Sequence, residues 1–259
     1  MRHVYHLDLT EEQIQGARIA LLPGDPARVE KIAQRFSKSQ PLAFHREFKT
    51  SLAYVGETPV LVTSTGIGGP STSIAIEELA LLGVRTFIRV GTCGALQPTI
   101  KIGDVVITTG AVRREGASLD YAPLEYPAVA HYQIVHALQQ AAQELQIPHH
   151  VGITCSTATF YPGQERTDSF SQYTLLRLRG MTEEWQRLNV LNYEMEAATL
   201  LTICSALGMR GGCVSGVVDR HGGTEIRPED LRAGEQNAIQ VSVRAVELLL
   251  TTEFSKIFV

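Results

Sequence analysis

Three strand ends in this chain carry the residues of an anion-binding loop. In "PGDPAR" (23–28), Gly24 lets backbone approach a ligand closely and Arg28 follows one turn into a helix. In "FIRVGTCG" (87–94), Arg89 lies in an apolar strand two residues before Gly91-Thr92. A guanidinium placed there needs an anion or an acidic partner, because an unpaired buried charge is costly. "TGIGGPSTS" (65–73) is a glycine-rich loop opening a helix, but it is neither G-x-G-x-x-G nor a P-loop. Taken alone, Arg28 reads rather as a solvated helix residue, whereas Arg89 reads as functional. A second constellation is "FYPGQER" (160–166). The Gln164 amide both accepts and donates in a fixed plane, and Arg166 only donates. Together they match the carbonyl, N–H, carbonyl edge of a uracil ring, with Phe160 beside it. An ordinary polar surface loop fits the same residues, and their chemistry alone does not separate the two readings.

The elements that must position these groups alternate along the chain. Strands are expected at 18–25, 53–65 (two, around a turn), 84–91, 103–114, 150–157 and 211–218. Helices are expected at 26–36, 71–83, 130–147, 192–208 and 233–250. This alternation predicts an α/β fold, one domain over 1–259 with helices on the faces of a sheet. The stretch 159–187 is polar and turn-rich, and reads as an insertion or lid over a site.

Composition narrows the function. The 259 residues are 44% hydrophobic and 19% charged, with a net charge of −4, an ordinary globular balance. No basic block is present, which argues against nucleic acid or a membrane surface as partner. Cys93, Cys155, Cys204 and Cys213 show no C-x-x-C or zinc-finger spacing. With no apolar leader or membrane-length run, a reduced, cytoplasmic setting is expected.

The strings "PGDPARVEKI", "HREF", "STGIGGPSTSIAIEELA", "RVGTCGALQP", "GASLDYAPLEYPAVA", "TFYPGQER" and "NYEMEAATLL" cover nearly the whole chain. In them the sequence resembles the nucleoside phosphorylase superfamily, and "FYPGQER" points to its uridine branch rather than its purine branch. The resemblance implies a central mixed β-sheet, partly barrel-like, flanked by helices. It implies reversible phosphorolysis of uridine to uracil and ribose 1-phosphate in pyrimidine salvage. The alternative is a purine or broad-specificity phosphorylase. A nucleosidase would not need its arginines together.

The same resemblance implies roles. Gly24, Arg28, Arg89 and Thr92 would hold phosphate, joined by Arg46 of a neighbouring subunit. Phe160, Gln164, Arg166 and Arg220 would bind the base. Tyr193, Met195 and Glu196 would surround the ribose, with His6 reaching it across the subunit boundary. Phosphate is a co-substrate and no cofactor is required. A homohexamer, a trimer of dimers, is implied, with a potassium ion at the dimer interface on Glu47, Ile67 and Ser71. The chain departs from the pattern at "GVVDRHGGTEI" (216–226), where Asp219, Arg220 and His221 replace an apolar residue, Asn and Arg. The resemblance leaves two readings of Asp219, a proton donor of the purine-branch kind or a loop residue, and the loop reading is preferred. Cys93, beside Thr92, reads as a partly exposed thiol open to labelling.

Overall fold

The structure is a computed structural model and describes residues 2–221 and 226–251. His3–Val4 (β1) and Leu9–Thr10 (β2) pair as an N-terminal antiparallel hairpin. Then come Ile19–Pro23 (β3), Pro26–Ala33 (α1), Lys38–His45 (β4), Phe48–Val55 (β5), Thr58–Thr63 (β6) and Gly69–Leu81 (α2). Thr86–Ala95 (β7), Val105–Arg114 (β8), Ala128–Val129 (β9), Tyr132–Glu144 (α3) and His149–Thr157 (β10) follow. Met181–Arg187 (α4), Asn192–Glu194 (β11), Ala197–Ala206 (α5), Arg210–Arg220 (β12) and Pro228–Thr251 (α6) complete the described chain.

All the strands after the hairpin join one mixed sheet, in the order β11-β10-β8-β12-β7-β3-β6-β5-β4, with β9 on β8. The sheet closes on itself. β11 pairs in parallel with β10 and antiparallel with β7, so β7, β12, β8, β10 and β11 form a five-stranded barrel. The strands β3, β6, β5 and β4 extend from β7 as an open wing. The expected mixed, partly barrel-like sheet is thus present.

Strands buried on both faces should read as continuous apolar runs, and β3 (Ile-Ala-Leu-Leu-Pro) is buried throughout. Ile19, Leu21, Ile88 and Val90 face one core, where α1, α3 and α6 pack. Ala20, Leu22 and Phe87 face the other, against α2, α5 and the N-terminal segment. α1 begins as its sequence demands: Asp25 accepts a hydrogen bond from the Ala27 N–H at 2.8 Å, and Pro26 takes the first helical position.

Three expectations need correction. The helix expected over 192–208 starts only at Ala197. Asn192, Tyr193 and Glu194 are strand, because they supply the seam that joins β10 to β7. Second, β4 is a strand that a Pro-containing polar stretch does not announce. It forms the outer edge of the wing, where Pro41, beside a register shift, is tolerated. Third, Asp219 is no loop residue. It belongs to β12, which runs through Arg220.

Packing of α6 on β12 depends on one backbone contact. A Cβ built on Gly216 would lie 1.9 Å from the Gly234 carbonyl oxygen, and one on Gly234 would lie 2.6 Å from that of Val217. Only glycine at both positions permits this approach. Among the described residues, no helix is long and apolar enough to cross a membrane.

Candidate active site

A cavity of about 510 Å³ opens at the ends of β3, β7 and β12, under the segment 160–166. Gly24, Arg28, Arg89, Thr92, Phe160, Gln164, Arg166, Tyr193, Met195 and Glu196 all line it. Anion and base residues, far apart in sequence, therefore share one chamber of nucleoside size.

One end is cationic but internally neutralised. Arg89 is 5% exposed. Its Nη2 meets the Glu196 carboxylate, and its Nε lies 3.6 Å from Glu194 Oε2 without a hydrogen bond. Arg28 is buried, not solvated as its helix position suggests. It donates from Nη1 to the Val90 carbonyl at 3.1 Å, and its Nε lies 3.3 Å from Glu235 Oε2. Glu235 follows Gly234, so the close approach of α6 delivers this carboxylate. The Nε atoms of Arg28, Arg89 and Arg166 are buried without hydrogen-bond partners. Each of them faces a carboxylate instead, of Glu235 at 3.3 Å, Glu194 at 3.6 Å and Asp168 at 3.5 Å, so these forks are held by charge. Gly24 packs closely on the next loop: a Cβ there would stand 3.2 Å from the Gly66 carbonyl oxygen.

Glu196 sits at the turn from β11 to α5. Its Oε1 accepts from the Gly68 N–H at 2.7 Å. Glu194 sets that turn by accepting from the N–H groups of Glu196 and Ala197, each at 2.8 Å, and from Ser156 Oγ. Burial, and then the neighbouring Glu196 charge, raise the Glu194 carboxyl above the ordinary range, with Arg89 opposing. Sequence reading missed Glu194, although it stands two residues before Glu196 at a helix start, where carboxylates cap backbone N–H groups.

At the other end, Gln164 Nε2 donates to Thr157 Oγ1 at 3.1 Å. The Arg166 guanidinium lies 4.3 Å from the centre of the Phe160 ring. Its Nη1 donates to Asp219 Oδ2 at 2.9 Å, and both residues are buried. Arg220 is not here. It is exposed, with Nη2 on the Pro98 carbonyl at 3.3 Å. A register shift between Val217 and Asp219 turns Val218 and Asp219 into the cavity and leaves Arg220 outside. His221 packs edge-on against Tyr193, whose hydroxyl is 3.1 Å from Thr182 Oγ1.

The segment over the base end is tied down by Glu165. Its carboxylate accepts from the N–H groups of Gly180 (2.7 Å) and Thr182 (2.6 Å) at the start of α4. Glu165→Ala should therefore loosen 160–182 locally by about 1 kcal/mol. Limited proteolysis checks this: cleavage within that segment should speed up while the global melting temperature moves little.

His6, Arg46, Glu47 and Ser71 lie outside the cavity lining. Arg46, with φ +56°, and Glu47 form the tip of the β4–β5 hairpin. His45 Nδ1 lies 3.0 Å from the His6 carbonyl, so His6 and this tip share one surface with exposed Tyr5 and Phe44. Glu47 and Ser71 both border the Gly66 turn, and Ser71 Oγ donates to the Ile67 carbonyl at 3.1 Å. Cys93 lines the cavity but is buried, and burial pushes its thiol far from ionisation. The expectation of an exposed, reactive Cys93 is therefore wrong.

The family model "Phosphorylase superfamily" matches residues 18–252. A uridine phosphorylase of Klebsiella aerogenes is 52% identical over 248 residues, covering 95% of this chain and 98% of that one. One of Escherichia coli strain K12 gives the same identity and coverage. One of Haemophilus influenzae is 51% identical over 252 residues, covering 97% and 100%. A match of this extent, on a barrel whose open end gathers arginines, carboxylates and a Gln-Arg pair, makes this chain a member of the phosphorylase superfamily.

Proposed function

We infer that this chain is a uridine phosphorylase, catalysing the reversible reaction of uridine with phosphate to give uracil and ribose 1-phosphate. The observation that carries the reading is the meeting of Arg28 and Arg89 with Gln164 and Arg166 in one cavity. Near-full-length identity of 52% to uridine phosphorylases supports it.

In this reading phosphate is the nucleophile, so no side chain needs to attack. Arg28, Arg89, Thr92 and the Gly24 turn hold it through charge-assisted hydrogen bonds to its oxygens. Glu196 accepts from the ribose hydroxyls, with Met195 and Tyr193 against the sugar. The glycosidic bond loosens through an oxocarbenium-like state. Charge passes to the ring, where Gln164 and Arg166 donate to it. Catalysis is then positioning and charge stabilisation.

Two copies would complete the site. The surface that carries His6 and Arg46 faces outward with Tyr5 and Phe44, each 65% exposed, so a second chain can receive it. A hexamer of three such dimers is the assembly we propose. Glu47, Ile67 and Ser71 offer a carboxylate, a carbonyl and a hydroxyl around one turn, half of an oxygen shell for a potassium ion shared between copies. The ion would tie chains together and take no part in the chemistry.

The test is loss of uridine absorbance with and without phosphate, beside inosine. Phosphate-dependent loss of uridine, with inosine untouched, is the expected result. Loss of inosine alone contradicts the reading of Gln164 and Arg166, and loss without phosphate makes the protein a hydrolase.

A further inference from the structure

Asp219 is the acidic residue at the base end of the cavity that the proposed reaction leaves without a task. It is 5% exposed, lines the cavity, and receives Arg166 Nη1 at 2.9 Å. It reaches this place because β12 shifts register against β7 just before it, opposite Gly94.

The other charged groups around Arg166 do not restore a positive field. Asp168 lies 3.5 Å from its Nε, on the solvent side. Glu165 spends its carboxylate on two backbone N–H groups. His221 is pushed toward its neutral form, first by burial and then by Arg166. One guanidinium therefore stands beside one buried carboxylate, and the base end carries little net charge. A lone guanidinium there would attract an ionised ring strongly, because attraction between charges grows where water is excluded.

Resting on the uracil-clamp reading of Gln164 and Arg166, we propose that Asp219 is a specificity-determining residue: by pairing with Arg166 it tempers the pull of the base end on anionic pyrimidine rings, so that neutral rings compete for the site. Arg166 keeps its hydrogen-bond donors for a ring carbonyl. What Asp219 removes is the bonus that its charge would give to an ionised ring. The residue thus tunes how strongly an ionised ring is preferred over a neutral one, while the donors that meet the charge formed in the reaction stay in place.

The experiment is a binding measurement on the intact protein with saturating phosphate, and needs no turnover. Uracil is the neutral probe. 5-Nitrouracil, ionised at neutral pH, is the anionic probe. The readout is the ratio of their dissociation constants. In Asp219→Asn, where the amide oxygen can still accept from Arg166, the ratio should move at least tenfold in favour of 5-nitrouracil. Asp219→Val, which has no polar group to satisfy, is the second variant and should shift the same way. An unchanged ratio in variants that still bind phosphate overturns the proposal. So does equal weakening of both probes, which would make Asp219 a mere scaffold for Arg166. If neither ring binds the unaltered protein, the uracil-clamp reading itself fails, which the uridine assay reports separately.

Discussion

Arg89→Ala should lower kcat/KM for uridine phosphorolysis by about a thousandfold, the scale of losing a preorganised charge-stabilising donor. It should also destabilise the fold, and in a pH-dependent way. Arg89 is the cation that lies between two buried carboxylates, Glu194 and Glu196. Removing one partner of a buried ion pair costs about 3–5 kcal/mol, because a charge is left uncompensated. The sign of the pH effect follows from Glu194. Its carboxyl is raised in the folded state by burial and by Glu196, while Arg89 pulls it down. A carboxyl raised on folding binds its proton more tightly in the native state. Its contribution is therefore intact below the unfolded carboxylate range and is lost as pH climbs through the raised native value. Without Arg89 that value moves further up. The variant should melt at a higher temperature at pH 6 than at pH 8, and by a wider margin than the unaltered protein. A melting temperature that is flat across this range would show that Glu194 does not carry the burden assigned to it.

Gly216→Ala should be the most damaging glycine-to-alanine substitution among the described residues. Its new methyl would lie 1.9 Å from the Gly234 carbonyl oxygen and 2.3 Å from the carbonyl carbon. Both are backbone atoms, so no rotamer relieves the clash and α6 must move. A loss of about 4 kcal/mol or more is expected, beyond ordinary overpacking. The movement has a functional signature. α6 brings Glu235 to Arg28 at 3.3 Å and to Lys31 Nζ at 2.5 Å. If the variant folds, phosphate should bind more weakly while binding of a free pyrimidine changes little. Thermal melting and phosphate titration read the two effects. Loss of stability with phosphate affinity kept would separate Glu235 from the anion site.

How much of this was legible depends on the reach of each signal. Alternating apolar and helical periods give the α/β class, and the Gly-Arg strand ends give the anion site, because these cues are local. Asp25-Pro26 announces α1 for the same reason. β11 was hidden because only two residues separate it from the buried, apolar helix α5, and its reason for being extended lies in β7 and β10. Glu235 had no local cue at all. Its role appears only when two glycines separated in sequence are seen to touch. Asp219 and Arg220 were assigned the wrong way round because a register shift changes which side chain faces inward, and a one-residue change of register exchanges the two faces of a strand. Glu165 sat between two residues read as ring contacts, and its own bonds run instead to residues 180 and 182.

The place of β12 has a consequence for how the chain must be made. It lies between β7 and β8, yet it begins at Arg210, long after β8 has ended at Arg114. On the ribosome, β7 and β8 emerge first, with the slot between them empty. At about 5–20 residues per second they wait several seconds for the strand that fills it. Through that interval the growing chain offers two long apolar strands with unsatisfied backbone edges, the arrangement most open to wrong pairing. The protein should thus depend on holding factors during synthesis more than its finished stability suggests. A chain stopped before residue 210 should accumulate as aggregate rather than as a smaller folded unit.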